Sequence, residues 1–250
     1  YNKKKALYLY SSTINKRMKR ILLTLFLSVS IVVFSQDKAP ISLKSYAEYG
    51  YNYTWEHYGS LAVIANFPIN SYFSLEGGLN TNTSNVHALN TRATVHFPLS
   101  VGNLTLENRY LYRLYLRNNT QDFAVGVIVG YVKDYIKANL GVYSRVYGSI
   151  TKQGQNESVT NIREPFNLIY NIEGQIFKQD HNWNIGLGIS NYDDFQIERM
   201  YLPIVTLKGN FLPAQHFNLL TELSCKPTGI LHGSANFYAI YTRLGLIYTW

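Results

Sequence analysis

A single cysteine, Cys225, stands in 250 residues, which excludes an internal disulfide and any fold stapled by several of them. Proline is scarce, with seven residues, and charged side chains make up only 15% of the chain. The longest apolar run, Ile21 to Phe34, is 14 residues, short of the roughly 20 that a membrane-spanning helix needs. No helical span is therefore expected. The histidines His57, His87, His96, His181 and His216 are dispersed without metal-ligand spacing, and no glycine-rich phosphate loop occurs. No metal site, cofactor or catalytic residue is assigned.

What the chain does contain begins with an export leader. Met18-Lys19-Arg20 opens a charged segment, the 14-residue apolar run follows, and Val33-Phe34-Ser35 places a plausible cleavage point before Gln36. This is the pattern of a secretory signal peptide over residues 18–35. Residues 1–17 have no role in that scheme and read as upstream sequence; residues 36–250 read as one domain. The leader also carries much of the basicity. Seven of the 23 Lys and Arg lie in residues 1–36, leaving 16 against 15 acids. A chain so nearly neutral has no electrostatic motive to bind nucleic acid, which is not expected as a partner.

The remaining sequence repeats a period of two. Twelve stretches of about ten residues alternate apolar or aromatic side chains with polar or small ones, near 43–55, 60–67, 72–81, 88–97, 103–117, 122–131, 135–147, 166–177, 183–192, 197–211, 217–226 and 235–250. Twenty-two tyrosines fit such strands, because aromatic rings pack well on a pleated surface. In 103–117 one face offers Leu104, Leu106, Tyr110, Tyr112 and Leu114, and the other Thr105, Glu107, Arg109, Arg113 and Arg117. Elsewhere the polar face carries glycines, as at Gly126 and Gly130, which suits a crowded interior better than open solvent. Pro203 weakens the tenth stretch, since an interior proline lacks a ladder donor.

The last eight residues, Arg243-Leu-Gly245-Leu-Ile-Tyr248-Thr-Trp250, combine a glycine with alternating apolar residues and a terminal aromatic. This pattern resembles the C-terminal signal of Gram-negative outer-membrane β-barrel proteins, of a small porin-like class with about twelve strands. The resemblance implies an all-β, antiparallel, up-and-down transmembrane barrel in the cell outer membrane. It also implies lipid around the barrel and a barrel-assembly machinery that reads Gly245, Tyr248 and Trp250 during biogenesis. An even strand number returns both termini to the periplasm. The connections at 56–59, 82–87, 118–121, 148–165, 193–196 and 227–234 then become external loops, of which only 148–165 is long.

Alternation places ten basic residues in the lumen (Lys44, Arg92, Arg109, Arg113, Arg117, Lys137, Arg145, Lys208, Lys226, Arg243) against five acids (Glu48, Glu76, Glu107, Glu173, Glu222). Arg109, Arg113 and Arg117 would climb one wall about 14 Å apart, beside a strand that shows the lumen only Ala124, Gly126, Ile128 and Gly130. Arg92, Arg109, Arg113, Arg117, Lys137, Arg145 and Arg243 are the candidate solute-binding residues, because guanidinium groups stay charged and fork onto carboxylate or phosphate. This favours a narrow channel for small anionic solutes over an enzyme. Two alternatives stay open. The charges can pair into a network that closes the bore, leaving an accessory barrel that binds a larger envelope protein complex. Outer-membrane phospholipase is also a twelve-stranded barrel, and His232-Gly-Ser234-Ala-Asn236 superficially resembles its His and Ser, but with an extra residue and in a turn-rich loop.

Overall fold

Alternation of period two carries directly into strands in a computed structural model of the chain. The structure describes residues 40–250 apart from 54–55, 118, 150–161, 178–182, 196–198, 200, 215 and 229–235. The expected leader, most of the long loop at 148–165, and His232 and Ser234 lie outside the described residues.

Twelve strands follow one another: β1 (Ser42–Asn52), β2 (Glu56–Asn70), β3 (Phe73–Asn82), β4 (Val86–Pro98), β5 (Asn103–Tyr115), β6 (Thr120–Lys133), β7 (Ile136–Ser149), β8 (Ile162–Gln175), β9 (Trp183–Ser190), β10 (Ile204–Ala214), β11 (Phe217–Thr228) and β12 (Asn236–Thr249). Each pairs antiparallel with its neighbours in sequence, and β12 pairs with β1, so the sheet closes into a barrel. Closure gives every strand two neighbours and leaves no edge strand, the condition for a sheet to stand in lipid. Turns are kept short by residues that accept positive φ, Asn85, Asn119 and Asp134 among them.

The faces of the wall are inverted relative to a soluble protein. Leu61, Leu79 and Leu244 on the outside keep 63%, 64% and 61% of their surface exposed, whereas Arg109 and Arg113 inside keep 0% and 1%. Val127 is also exposed on the outer wall. An apolar belt around a charged centre is stable only where lipid replaces water outside. Trp250 and Tyr248 stack at 5.2 Å where β12 ends, on the outer side with Leu244 and Leu246.

Glycine sets the closing seam. Across β1 and β12 the inward pairs are Tyr46 with Gly245, Glu48 with Arg243, and Gly50 with Tyr241. A Cβ on Gly245 would lie 2.5 Å from the Ser45 carbonyl oxygen, and one on Gly50 would lie 2.6 Å from the Tyr241 Cβ. Each tyrosine thus lies over a glycine on the facing strand, and the Arg243 guanidinium sits 4.9 Å from both rings. Interior glycine in a strand here marks close approach of a neighbour.

One part of the wall departs from the expected layout. The tenth strand starts at Ile204, not at 197, because Pro203 has no N–H for the ladder. β9 ends at Ser190, and β8 pairs with it only over Asn171–Gln175. The intervening residues do not all stay at the rim. Asn191 stitches itself to β8, its side-chain oxygen accepting from Tyr170 N at 2.9 Å and its amide donating to the Leu168 carbonyl at 2.8 Å. Beyond it the chain turns inward.

Candidate functional site

β4, β5, β7 and β12 supply the interior arginines, each held by the parity of its strand. Arg92, Arg109, Arg113, Arg145 and Arg243 are inside, as the alternation predicts, and Lys137 lines the interior cavity. Arg117 is not: β5 ends at Tyr115, so Arg117 stands in the following turn and is exposed. The ladder on β5 therefore has two rungs.

The interior carries more acid than the alternation of the strands showed. Asp122, the third residue of β6, takes the same inward parity as Ala124 and Gly126 and is 1% exposed. It accepts from Arg113 at 2.5 Å and from Arg145 at 2.8 Å. Arg145 lies 4.4 Å over the Tyr147 ring and Arg113 5.3 Å from that of Tyr115. This cluster fills the half of the barrel away from the termini. Its parity was readable in the sequence. Asp193 and Asp194 had no such signal, because they belong to the segment between β9 and β10, which was expected to be an external loop.

Tyr192 to Phe195 of that segment lie inside. Asp193 accepts from Arg243 at 2.7 Å and from the Tyr241 hydroxyl at 2.9 Å. Asp194 accepts from Arg92 at 2.9 Å and Arg109 at 3.2 Å, with the Lys44 ammonium at 3.9 Å. Arg109 also donates to the Asp193 carbonyl at 3.0 Å and stacks 5.5 Å from Tyr192. Phe195 is buried against Tyr46, Ile64, Ala88 and Leu111. Burial by itself raises the Asp194 carboxyl, but Arg92, Lys44, Arg109 and Arg243 more than offset it and hold the group well below the usual carboxylate range. Asp193 is lowered too: burial raises it, and Arg243 outweighs the burial. Both are anions at neutral pH.

With Arg117 outside, Asp122, Asp193 and Asp194 inside, and Glu164 beside Arg145 at 3.6 Å, nine basic side chains face nine acidic ones among the described interior residues, and the expected surplus of five disappears. Glu48 and Glu222 complete the set around Arg243, at 2.5 and 3.1 Å. Glu173 holds Lys208 at 2.6 Å.

Between the segment and the end where the termini lie is a cavity of about 330 Å³. Its wall contributes six cations (Lys44, Arg92, Arg109, Lys137, Lys208, Arg243) and three acids (Glu76, Glu107, Glu222), while Tyr192, Asp193 and Asp194 also line it. The wall alone is thus strongly cationic, and the inward segment supplies most of the balance. Beyond the segment, beside Arg113 and Phe195, lies a small cavity of about 20 Å³.

Gly245 and Tyr248 lie in β12 and Trp250 just after it, the Trp250 N–H donating to the Ile41 carbonyl at 3.1 Å. Gly245 has a structural duty at the seam, under Tyr46.

No protein-family model matches the chain, and no curated protein matches it in sequence. Its fold is similar to several solved structures. One is a KdgM porin in complex with disordered oligogalacturonate, at 11% identity, with 84% of this chain and 99% of that one covered and a TM-score of 0.53. A NanC porin matches at 10% identity, 82% and 98% coverage and 0.51. An outer-membrane channel from Pseudomonas putida F1 matches at 9% identity, 86% and 97% coverage and 0.53. The architecture is that of outer-membrane porin barrels, and the apolar outer wall suits that membrane.

Proposed function

We propose that the protein is a narrow outer-membrane channel that favours small anionic solutes. The observation that carries this reading is the cavity wall, where six cationic side chains outnumber three acids. Lys137 in that wall forms no ion pair among the described residues, so its charge is available to a solute. A ring of basic side chains raises the local concentration of anions and repels cations. The likeness in fold to a porin solved with oligogalacturonate, a carboxylate-bearing chain, supports the same direction. Recording from the full chain in planar bilayers under a KCl gradient tests it. Anion preference that weakens in Lys137→Glu is the expected result; a clear cation preference, or silence under every condition, removes the channel.

A second reading has its own support in the half away from the termini, where Asp122, Arg113 and Arg145 form a buried, mutually paired cluster. A barrel filled in this way serves as an accessory to a larger envelope complex. Electrical silence of both the wild type and Lys137→Glu favours it.

A further inference from the structure

The cluster of Lys44, Arg92, Arg109 and Arg243 meets two carboxylates from the chain itself. The geometry points to this cluster as a binding site for a small dianion bearing two carboxylates, for which Asp193 and Asp194 act as a built-in, displaceable surrogate. The inference deepens the channel reading and rests on it for its role in transport, but its binding chemistry can be tested separately.

The two carboxylates reach different walls. Asp193 is held by Arg243 and Tyr241 on β12, and Asp194 by Arg92 on β4 and Arg109 on β5. Around the ring β12 lies four steps from β4 and five from β5, so the acid pair spans the bore. A solute with two carboxylates a few bonds apart can make the same span. The other acid partners of these arginines, such as Glu48, Glu76 and Glu222, sit on strands of the closed sheet and cannot leave it. Asp193 and Asp194 belong to a connection that leaves the wall after Asn191 and rejoins it at Ile204.

Exchange of one dianion for another leaves no arginine unpaired, which avoids the large cost of an uncompensated buried charge. The segment also has a prepared seat. Gly78 faces Phe195, and a Cβ there would lie 3.0 Å from the Phe195 Cζ and 2.9 Å from the Ile64 Cγ1. The seat is apolar and the latch is ionic, so each can be removed alone. While the segment is seated it occupies the arginines, and apparent affinity for an outside dianion is reduced by the fraction of barrels in which the site is vacant.

The test uses the refolded full chain in detergent micelles, with succinate as probe and neutral succinamide as control. In calorimetry, Asp193→Asn/Asp194→Asn is expected to bind succinate roughly tenfold tighter than the wild type, the internal competitor having been weakened. Phe195→Ala is expected to shift affinity the same way, and succinamide to bind none of them. Equal or weaker succinate binding by the folded variants, or equal binding of succinamide, overturns the site. Folding is checked by the shift in electrophoretic mobility between unheated and heated samples; if the double variant fails this check, Phe195→Ala decides the matter.

Bilayer recording of the same proteins separates the two proposals. The double variant is expected to conduct several-fold more than the wild type, with succinate then blocking the chloride current. Tighter succinate binding with no conductance keeps the site and ends the channel. Identical anion-selective conductance in wild type and variants, without succinate binding, keeps the channel and ends the site.

Discussion

Tyr46 stands opposite Gly245 across the seam of the first and last strands, its Cβ only 2.6 Å from where a Cβ on Gly245 would lie. The same relation, reversed, joins Tyr241 to Gly50 two inward pairs further along, with Arg243 between the rings.

Gly245→Val is therefore expected to impair closure. The new side chain meets the Ser45 carbonyl oxygen as well as Tyr46, and backbone cannot give way as a flexible side chain can. The folded fraction after refolding into detergent, read from unheated electrophoretic mobility, should fall sharply. Gly77→Ala is the control, since nothing lies within 4 Å of a Cβ there, and it should fold as the wild type does.

Asp122→Asn removes the shared partner of Arg113 and Arg145 while keeping the side chain's shape. Both partners and Asp122 itself are largely shielded from water, and breaking a buried pair from one side costs about 3–5 kcal/mol. Urea unfolding from micelles should show a lower midpoint with a similar slope. A midpoint unchanged from the wild type would mean that water reaches the cluster.

Arg117→Glu should leave ion preference as it is, because Arg117 stands exposed in the turn beyond β5. Lys137→Glu, inside the cavity, should lower anion preference in the same recording. Equal effects of the two would place Arg117 on the solute path.

The inward segment should respond to acid in a defined window. The native carboxyl groups of Asp193 and Asp194 are held below their ordinary value. A depressed native value means that the charge pairing stabilises the seated segment above the unfolded value, about 3.9 for Asp, and is lost as pH falls through the native one. Conductance should be flat from pH 7 to pH 5 and rise only in stronger acid. A rise centred near pH 6 would assign the gating to other groups.

Strand number, closure and the inversion of faces were all legible in the alternation, because parity is a local property that a closed sheet preserves. Arg109, Arg113 and Arg243 were placed inside by parity alone. Parity also marks Asp122, the first residue of the stretch 122–131, as inward, which adds an acid that the expected interior set of five lacks. Arg117 shares the parity of Arg113 but lies past the last rung, and strand ends depend on turn geometry that alternation does not encode. Asp193 and Asp194 were beyond reach in principle. Their inward course depends on cations from β1, β4, β5 and β12, contacts that exist only after those distant strands have met.

The Arg243–Glu48 bond joins positions 195 residues apart in sequence. Until the cylinder shuts, these two groups belong to opposite ends of an open ribbon and remain hydrated, so their bond can contribute nothing to early intermediates. Its stabilisation arrives in the final step, when water leaves the enclosed volume. Partially zipped forms should accordingly be scarce at equilibrium, and unfolding should proceed in one concerted transition that begins where β1 and β12 part.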